Sequence, residues 1–180
     1  SGRNTWEVIT NVGKTGATGP QGATGLEGAT ATNTYFTGAA TGPITVTGAT
    51  LPTPNWITGP QLTIGAAASG TYFITGHVTV SVSAVSKTAA CKLVFRLTDG
   101  TTVFATSNQE LGNSGSSTYA TWVESNLHAI ATLANSAVVK LDVTADSAGC
   151  GTTTIQASPV DANAGVGTNT ASTIQALKLA

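Results

Sequence analysis

Acidic side chains are the groups in this chain best suited to acid–base chemistry, and they are few. Asp142 and Asp146 lie four residues apart in or beside a predicted strand; we interpret them as solubilising surface groups, with a calcium site as the alternative. No pair has the spacing of a glycosidase motif, although acids distant in sequence can meet in a fold. The eight acidic residues are Glu7, Glu27, Asp99, Glu110, Glu124, Asp142, Asp146 and Asp161.

The two histidines, His77 and His128, fall on outward faces of different predicted strands. Without clustered thiolates or carboxylates, two histidines are a weak indication of zinc. Serines are numerous, but no nucleophile-elbow pattern surrounds any of them. We therefore expect no enzymatic activity, no metal site and no cofactor.

Composition limits the partners of this chain. Only 8% of the residues are charged and the formal net charge is −1, which argues against an electrostatic grip on nucleic acid or on an anionic membrane. No apolar run approaches the roughly 20 residues of a membrane span, so we expect no membrane insertion. The 180 residues include no methionine, and we expect them to be a fragment or a processed product.

Residues 13–30, GKTGATGPQGATGLEGAT, carry glycine at every third position. Only a residue without a Cβ fits at the axis where three polyproline II chains meet, so this period predicts a collagen-like triple helix and a trimer. The alternative is a flexible linker, but linkers have no such register. With Pro20 as its single proline, the run is not expected to hold three chains together by itself. The axial glycines would be Gly13, Gly16, Gly19, Gly22, Gly25 and Gly28.

Beyond residue 40 the pattern is that of β-strands. TYFITGHVTVSV (71–82) and CKLVFRL (91–97) alternate apolar and polar residues, as half-buried strands do. Asp99-Gly100 predicts a two-residue hairpin, and Asn135-Ser136 predicts a turn. Evenly spaced strands without a helical period predict an all-β sandwich or jelly roll.

Two segments resemble the collagen-stalked trimeric heads of the tumour-necrosis-factor and complement globular head superfamily. They are AAASGTYFITGHVTVSV (66–82) and the closing STIQALKLA (172–180). The resemblance implies a homotrimeric jelly roll that ends near the base of the trimer. It divides the chain into a short upstream β segment (1–12), the stalk, a neck (31–54) and a trimeric head (55–180).

The stretch NTWEVITNVGKTGATGPQGATG (4–25) is similar to stalks of bacteriophage tail or head fibres. This resemblance implies a virion-surface protein with an upstream virion-attachment region and a head that binds a host receptor, a glycan or an outer-membrane component. Spore-surface collagen-like proteins of bacteria share the Gly-Ala-Thr triplets. A structural filament on a spore or cell surface is therefore the alternative function.

The positions of the two cysteines predict a disulfide. If successive strands alternate in direction, the tips at 83–90, 108–118 and 146–151 fall at one end of the sandwich. Cys91 adjoins the first tip and Cys150 lies in the third, so a Cys91–Cys150 bond is expected. Two buried free thiols are the alternative, since Cys91 shares the inward phase of its strand.

These same tips are the predicted receptor surface. In the resembled fold the C-terminus lies at the base, so the tips point away from the stalk, provided that residues 152–156 do not form a full crossing strand. Short polar side chains on the tips suit hydroxyl-rich ligands, although solvated turns would look the same. The candidate receptor-binding residues are Lys87, Asn108, Gln109, Asn113, Ser114 and Ser116.

Overall fold

The computed structural model describes Gly2 and residues 34–48, 54–66, 68–112, 118–157 and 171–179. The chain divides into the units Ser1–Thr30 and Ala31–Ala180, and the strands described here all lie in the second. The predicted axial glycines of the triplet repeat lie outside the described residues. So do Asn113, Ser114 and Ser116 of the predicted receptor surface.

Ten β-strands make up the secondary structure of the described residues, and none of these residues is helical. The strands form a six-stranded sheet and a four-stranded sheet. This confirms the predicted all-β fold. The strands are β1 (Tyr35–Ala39), β2 (Ile44–Val46), β3 (Ile57–Thr63), β4 (Gly70–Val85), β5 (Cys91–Thr98), β6 (Val103–Leu111), β7 (Tyr119–Leu133), β8 (Val138–Ala145), β9 (Thr153–Ile155) and β10 (Thr173–Lys178).

The strand pairing is nested: strands near the two ends of the chain pair with each other, and strands in the middle of the chain pair with each other. β1 pairs with β10, β3 with β8, β4 with β7, and β5 with β6, and every pair is antiparallel. The lateral pairs β10–β4 and β5–β8 complete the two sheets. This nested order is that of a jelly roll, in which one long hairpin is folded over into two Greek keys.

Both outermost strands of the jelly roll are interrupted. β10 pairs with the first half of β4, and β9 pairs with the second half, so the two short strands run along β4 in the same direction. In the same way, β1 pairs with β10, and β2 pairs with β9. β1 and β2, which lie within the stretch 31–54, are both strands of the six-stranded sheet. The stretch 152–156 contributes one short strand and does not cross the whole sheet.

The inward phases predicted for the strands are those of the core. Large apolar side chains from the two sheets interdigitate between them, and their spacing of two residues follows from the period of a strand. The fully buried members include Tyr72, Ile74, Val78, Val80, Leu93, Phe95, Leu97, Val139, Leu141 and Val143.

Two turns join adjacent strands at the end of the sandwich where β10 finishes. Between β7 and β8, Ser136 adopts a left-handed backbone with φ 60°, which confirms the predicted Asn135-Ser136 turn. Between β5 and β6 the loop runs from Asp99 to Thr102, so the predicted two-residue hairpin is wrong. The Asp99 carboxylate accepts the backbone N–H of Thr102 at 2.6 Å, which lengthens the turn and lowers the pKa of Asp99.

A disulfide joins the start of β5 to the loop after β8, at the opposite end of the sandwich. Cys91 and Cys150 are bonded at 2.03 Å, and Cys150 also forms a β-bridge with Val85. The loop is packed closely here, since a Cβ on Gly149 would lie 1.8 Å from the carbonyl oxygen of Ala90. The strand ends and the β8–β9 loop therefore form one compact tip.

Candidate binding surfaces of the head

The outer face of the four-stranded sheet carries a polar strip across β5 and β6. On β5, Lys92, Val94 and Arg96 alternate with buried residues and point away from the core. Their cross-strand partners on β6 are Glu110, Asn108 and Thr106, which share that outward face because directly paired residues point the same way. The strip is thus built by register between two neighbouring strands.

A cavity of about 310 Å³ opens on this strip. Lys92 and Glu110 stand on its rim with Nζ and Oε2 3.9 Å apart, and both side chains are largely exposed. The half-buried Val94 contributes an apolar floor. The lining residues are Lys92, Leu93, Val94, Asn108, Gln109 and Glu110.

Two predicted receptor-binding residues belong to this cavity, but not as loop residues. Asn108 and Gln109 lie within β6 and pair with Val94 and Leu93, so their placement on a tip loop is wrong. Lys87 does lie in a loop, between β4 and β5, whose shape is held by Ser86 Oγ accepting the backbone N–H of Ala89 at 3.2 Å. Of the six predicted residues, the three that the structure describes are thus one loop residue and two strand residues.

A second cluster on the same face was not found from the sequence. The guanidinium of Arg96 donates from Nε and Nη2 to Asp142 Oδ2 at 3.0 and 2.8 Å, and Thr58 Oγ1 donates to Asp142 Oδ1 at 2.8 Å. The ring of Trp56 covers the guanidinium, whose carbon lies 4.0 Å from the ring centroid. Asp142 is 3% exposed, so its interpretation as a solubilising surface group is wrong. Its oxygens are engaged by Arg96 and Thr58 rather than open to calcium.

We predict that Thr58→Val lowers the free energy of unfolding by about 1.5 kcal/mol. Valine keeps the shape of the side chain but removes the hydrogen bond to a buried carboxylate, and bonds to charged groups are the stronger ones. Urea unfolding followed by Trp fluorescence measures the change. Thr106→Val, an exposed position on the same face, is the matched control and should change stability by less than about 0.5 kcal/mol. Equal effects of the two substitutions would contradict the role assigned to Thr58.

The outer face of the six-stranded sheet has a different character. Tyr35, Leu177, Phe73 and Ile130 are consecutive cross-strand neighbours on β1, β10, β4 and β7. We call these four residues the apolar row. Tyr35 is 53% exposed, Phe73 39% and Ile130 68%. Large apolar side chains in an unbroken row on a solvent-facing sheet indicate a surface that another molecule covers.

Charge is distributed unequally between the two sheets. The six strands that contain the apolar row carry Glu124 and Lys178 as their charged residues, whereas the four-stranded sheet carries Lys92, Arg96, Glu110, Lys140 and Asp142. β7, fifteen residues long, has β4 as its one hydrogen-bonded neighbour in the described part of the chain. A long edge strand with so little charge is a strong template for contact with another chain.

A polar groove of about 410 Å³ adjoins the apolar row. His77 and His128 both line it, on the outward faces predicted for them. His77 Nδ1 lies 2.9 Å from Asn126 Oδ1, and the His128 ring is stacked on Phe73 with centroids 6.3 Å apart. Within the described ranges, no group of three or more His, Cys, Asp or Glu side chains is placed to hold a metal ion. The same residues include no helix long and apolar enough to cross a membrane.

No protein-family model and no curated protein matches the chain. Similar solved structures include Eiger TNF from S. frugiperda, with 12% identity, 82% of this chain and 93% of that chain covered, and a TM-score of 0.43. Murine APRIL at pH 5.0 has 7% identity, coverages of 82% and 99%, and a TM-score of 0.40. A carbohydrate-binding module from Cellvibrio mixtus lichenase 5A in complex with cellotriose has 16% identity, coverages of 80% and 97%, and a TM-score of 0.30. The jelly roll itself follows from the order and pairing of the strands.

Proposed function

We propose that this chain is a component of a virion fibre: a homotrimer whose head binds a receptor on a host cell and whose collagen-like repeat is a spacer. The observation that carries the proposal is the apolar row on a sheet with little charge, in a chain whose triplet repeat is the pattern expected of a helix of three chains. In this proposal an upstream region attaches the fibre to the virion.

The outer face of the six-stranded sheet is the proposed surface between subunits. The cores of such interfaces are depleted in charge and enriched in aromatic residues, and this face has Tyr35 and Phe73 exposed beside Ile130. Covering it would also protect the free edge of β7 from uncontrolled pairing. The six triplets with one proline need such a partner surface, because they are too short to associate alone.

The four-stranded sheet faces the other way and would remain accessible in the trimer. Its outer face carries the cavity beside Asn108 and Gln109, and the adjoining tip carries Lys87. Three copies of a weak site on one particle would bind a cell surface with useful avidity. We therefore assign receptor contact to this face and its tip.

Competition with infection tests this function. The purified full chain is added to a panel of bacteria together with phages that infect them, and cell binding and plaque number are both measured. We expect the trimer to bind the cells of at least one host and to reduce plaques on that host alone. A folded trimer that binds none of them and leaves plaque numbers unchanged would contradict the fibre role.

A structural filament of a bacterial spore or cell surface is the alternative, favoured by the three Gly-Ala-Thr triplets in the repeat. It requires the same trimer but no host receptor. Incorporation of the labelled chain into a spore coat, without binding to vegetative cells, would support this alternative.

The repeat can be tested separately from the head. We predict that Gly22→Val removes a low-temperature collagen-like transition in circular dichroism and leaves the main β transition unchanged, because a side chain at the axis disrupts the triple helix locally. Ala23→Val, at a neighbouring position away from the axis, is the control and should keep both transitions. If Gly22→Val leaves the spectrum unaltered, the repeat is a linker.

A further inference from the structure

We propose that the cavity on the outer face of β5 and β6 binds a neutral sugar, namely one hexose or N-acetylhexosamine unit of a surface polysaccharide. This inference rests on the proposed receptor-binding function, and it names the site and the ligand class. The volume of about 310 Å³ is at the small end for ligand pockets. It suits one sugar ring rather than a long segment of polymer.

The charges around the cavity favour a ligand without net charge. Lys92 and Glu110 stand on its rim 3.9 Å apart. An anionic sugar would meet the carboxylate of Glu110, and a cationic one would meet the ammonium of Lys92. A hydroxyl group can donate a hydrogen bond to the carboxylate of Glu110 and accept one from the ammonium of Lys92, so a neutral polyol can use both groups.

The remaining lining groups extend the same chemistry. The amide of Asn108 offers two N–H donors and one acceptor oxygen on the outward face, whereas Gln109 pairs with the buried Leu93 and so has its side chain on the opposite face. Val94 lies opposite Asn108 in the register and forms an apolar floor on which the C–H face of a sugar ring can pack. A few polar groups arranged over an apolar surface are typical of small-molecule sites.

The neighbouring cluster keeps this surface neutral and ordered. Arg96 follows Val94 by two positions on β5, and its guanidinium is already paired with Asp142 and covered by Trp56. It therefore adds no unbalanced positive charge that would select a phosphate or a uronate. Because the lining residues stand on paired strands, their spacing is set by the sheet rather than by a loop.

Titration of the ¹⁵N-labelled full chain tests the proposal by NMR. The probes are the methyl glycosides of glucose and galactose, N-acetylglucosamine and N-acetylgalactosamine, with glucuronate as the anionic comparison. We expect at least one neutral sugar to shift the side-chain amide signals of Asn108 and the backbone amide signals of Lys92, Val94 and Glu110 saturably, and glucuronate to bind at least about tenfold more weakly. Asn108→Ala and Glu110→Gln should each weaken binding about tenfold, the effect of losing one good hydrogen bond. Thr106→Ala, exposed on the same strand and outside the cavity, is the matched control and should bind normally.

Three results would overturn the inference. They are the absence of saturable shifts with all four neutral sugars, equal binding of glucuronate, and backbone amide shifts that survive with unchanged affinity in Asn108→Ala and Glu110→Gln. Cell binding separates this failure from that of the proposed function. If these two variants still bind cells while Lys87→Ala does not, the receptor contacts lie on the loop, and the fibre role stands without the cavity. If the wild-type trimer binds no cells, the fibre role fails. The NMR titration alone then decides whether the cavity binds a neutral sugar.

Discussion

Replacing Ile130 by arginine is expected to convert the full chain from a trimer into a monomer at micromolar concentration. Ile130 is 68% exposed at the end of the apolar row, where the proposed interface would bury it. Three arginines would then have to be buried without partners, and an uncompensated buried charge costs several kcal/mol. Light scattering measures the result, as a fall from about three times the 17.8 kDa chain mass to that mass itself.

Val103→Arg is the matched control for this experiment. Val103 is 48% exposed on β6, which belongs to the four-stranded sheet, so its replacement should leave the trimer intact. Both variants should keep the β-sheet signal in circular dichroism, since neither position lies in the core. A monomeric wild-type chain would refute the trimer. If Val103→Arg gave a monomer and Ile130→Arg did not, the interface would lie on the four-stranded sheet, and the proposed interface would be wrong.

Reduction of the Cys91–Cys150 disulfide is expected to lower the free energy of unfolding by about 4 kcal/mol. The bond closes a loop with a sequence separation of 59, and the chain-entropy relation gives this magnitude for a loop of that length. It also holds the tight packing of Gly149 against the end of β5. Urea unfolding of the oxidised and reduced chain at the same protein concentration measures the loss, because the stability of a chain that associates, as proposed here, depends on concentration.

The double variant Cys91→Ala and Cys150→Ala should unfold at the same urea concentration as the reduced wild-type chain. Adding reductant should then cause no further change, which assigns the effect to this bond. Alkylation of the unfolded chain without reductant, followed by intact-mass measurement, checks the bond itself. Two alkylated thiols would show that the cysteines are free.

Several features of the head follow from local sequence pattern. Alternation of apolar and polar residues depends only on the two-residue period of a strand, so the inward phases around Tyr72 and Phe95 were predictable. The all-β class follows from the same pattern repeated between turn residues. The ends of the sandwich follow from the alternation of strand direction, which places Cys91 and Cys150 at one tip.

The candidate binding surfaces depended instead on register between distant strands. The apolar row unites Tyr35, Phe73, Ile130 and Leu177, whose neighbourhood is set by strand pairing across four separate strands. The burial of Asp142 could not be predicted from the sequence, because its partners lie far away along the chain, Arg96 by 46 residues and Thr58 by 84.

The cavity beside Asn108 shows the same division. The sequence identified Asn108 and Gln109 but extended the tip loop over them, because short polar residues are common both in turns and on the exposed face of an edge strand. Asn108 and Glu110 lie on β6, because they pair with Val94 and Lys92 of β5. The second of these pairs brings opposite charges together. Residue types and their two-residue period are local and can be determined from the sequence alone. Which side chains become neighbours across a sheet depends on strand order and register, and these were decided by packing the two sheets around one core.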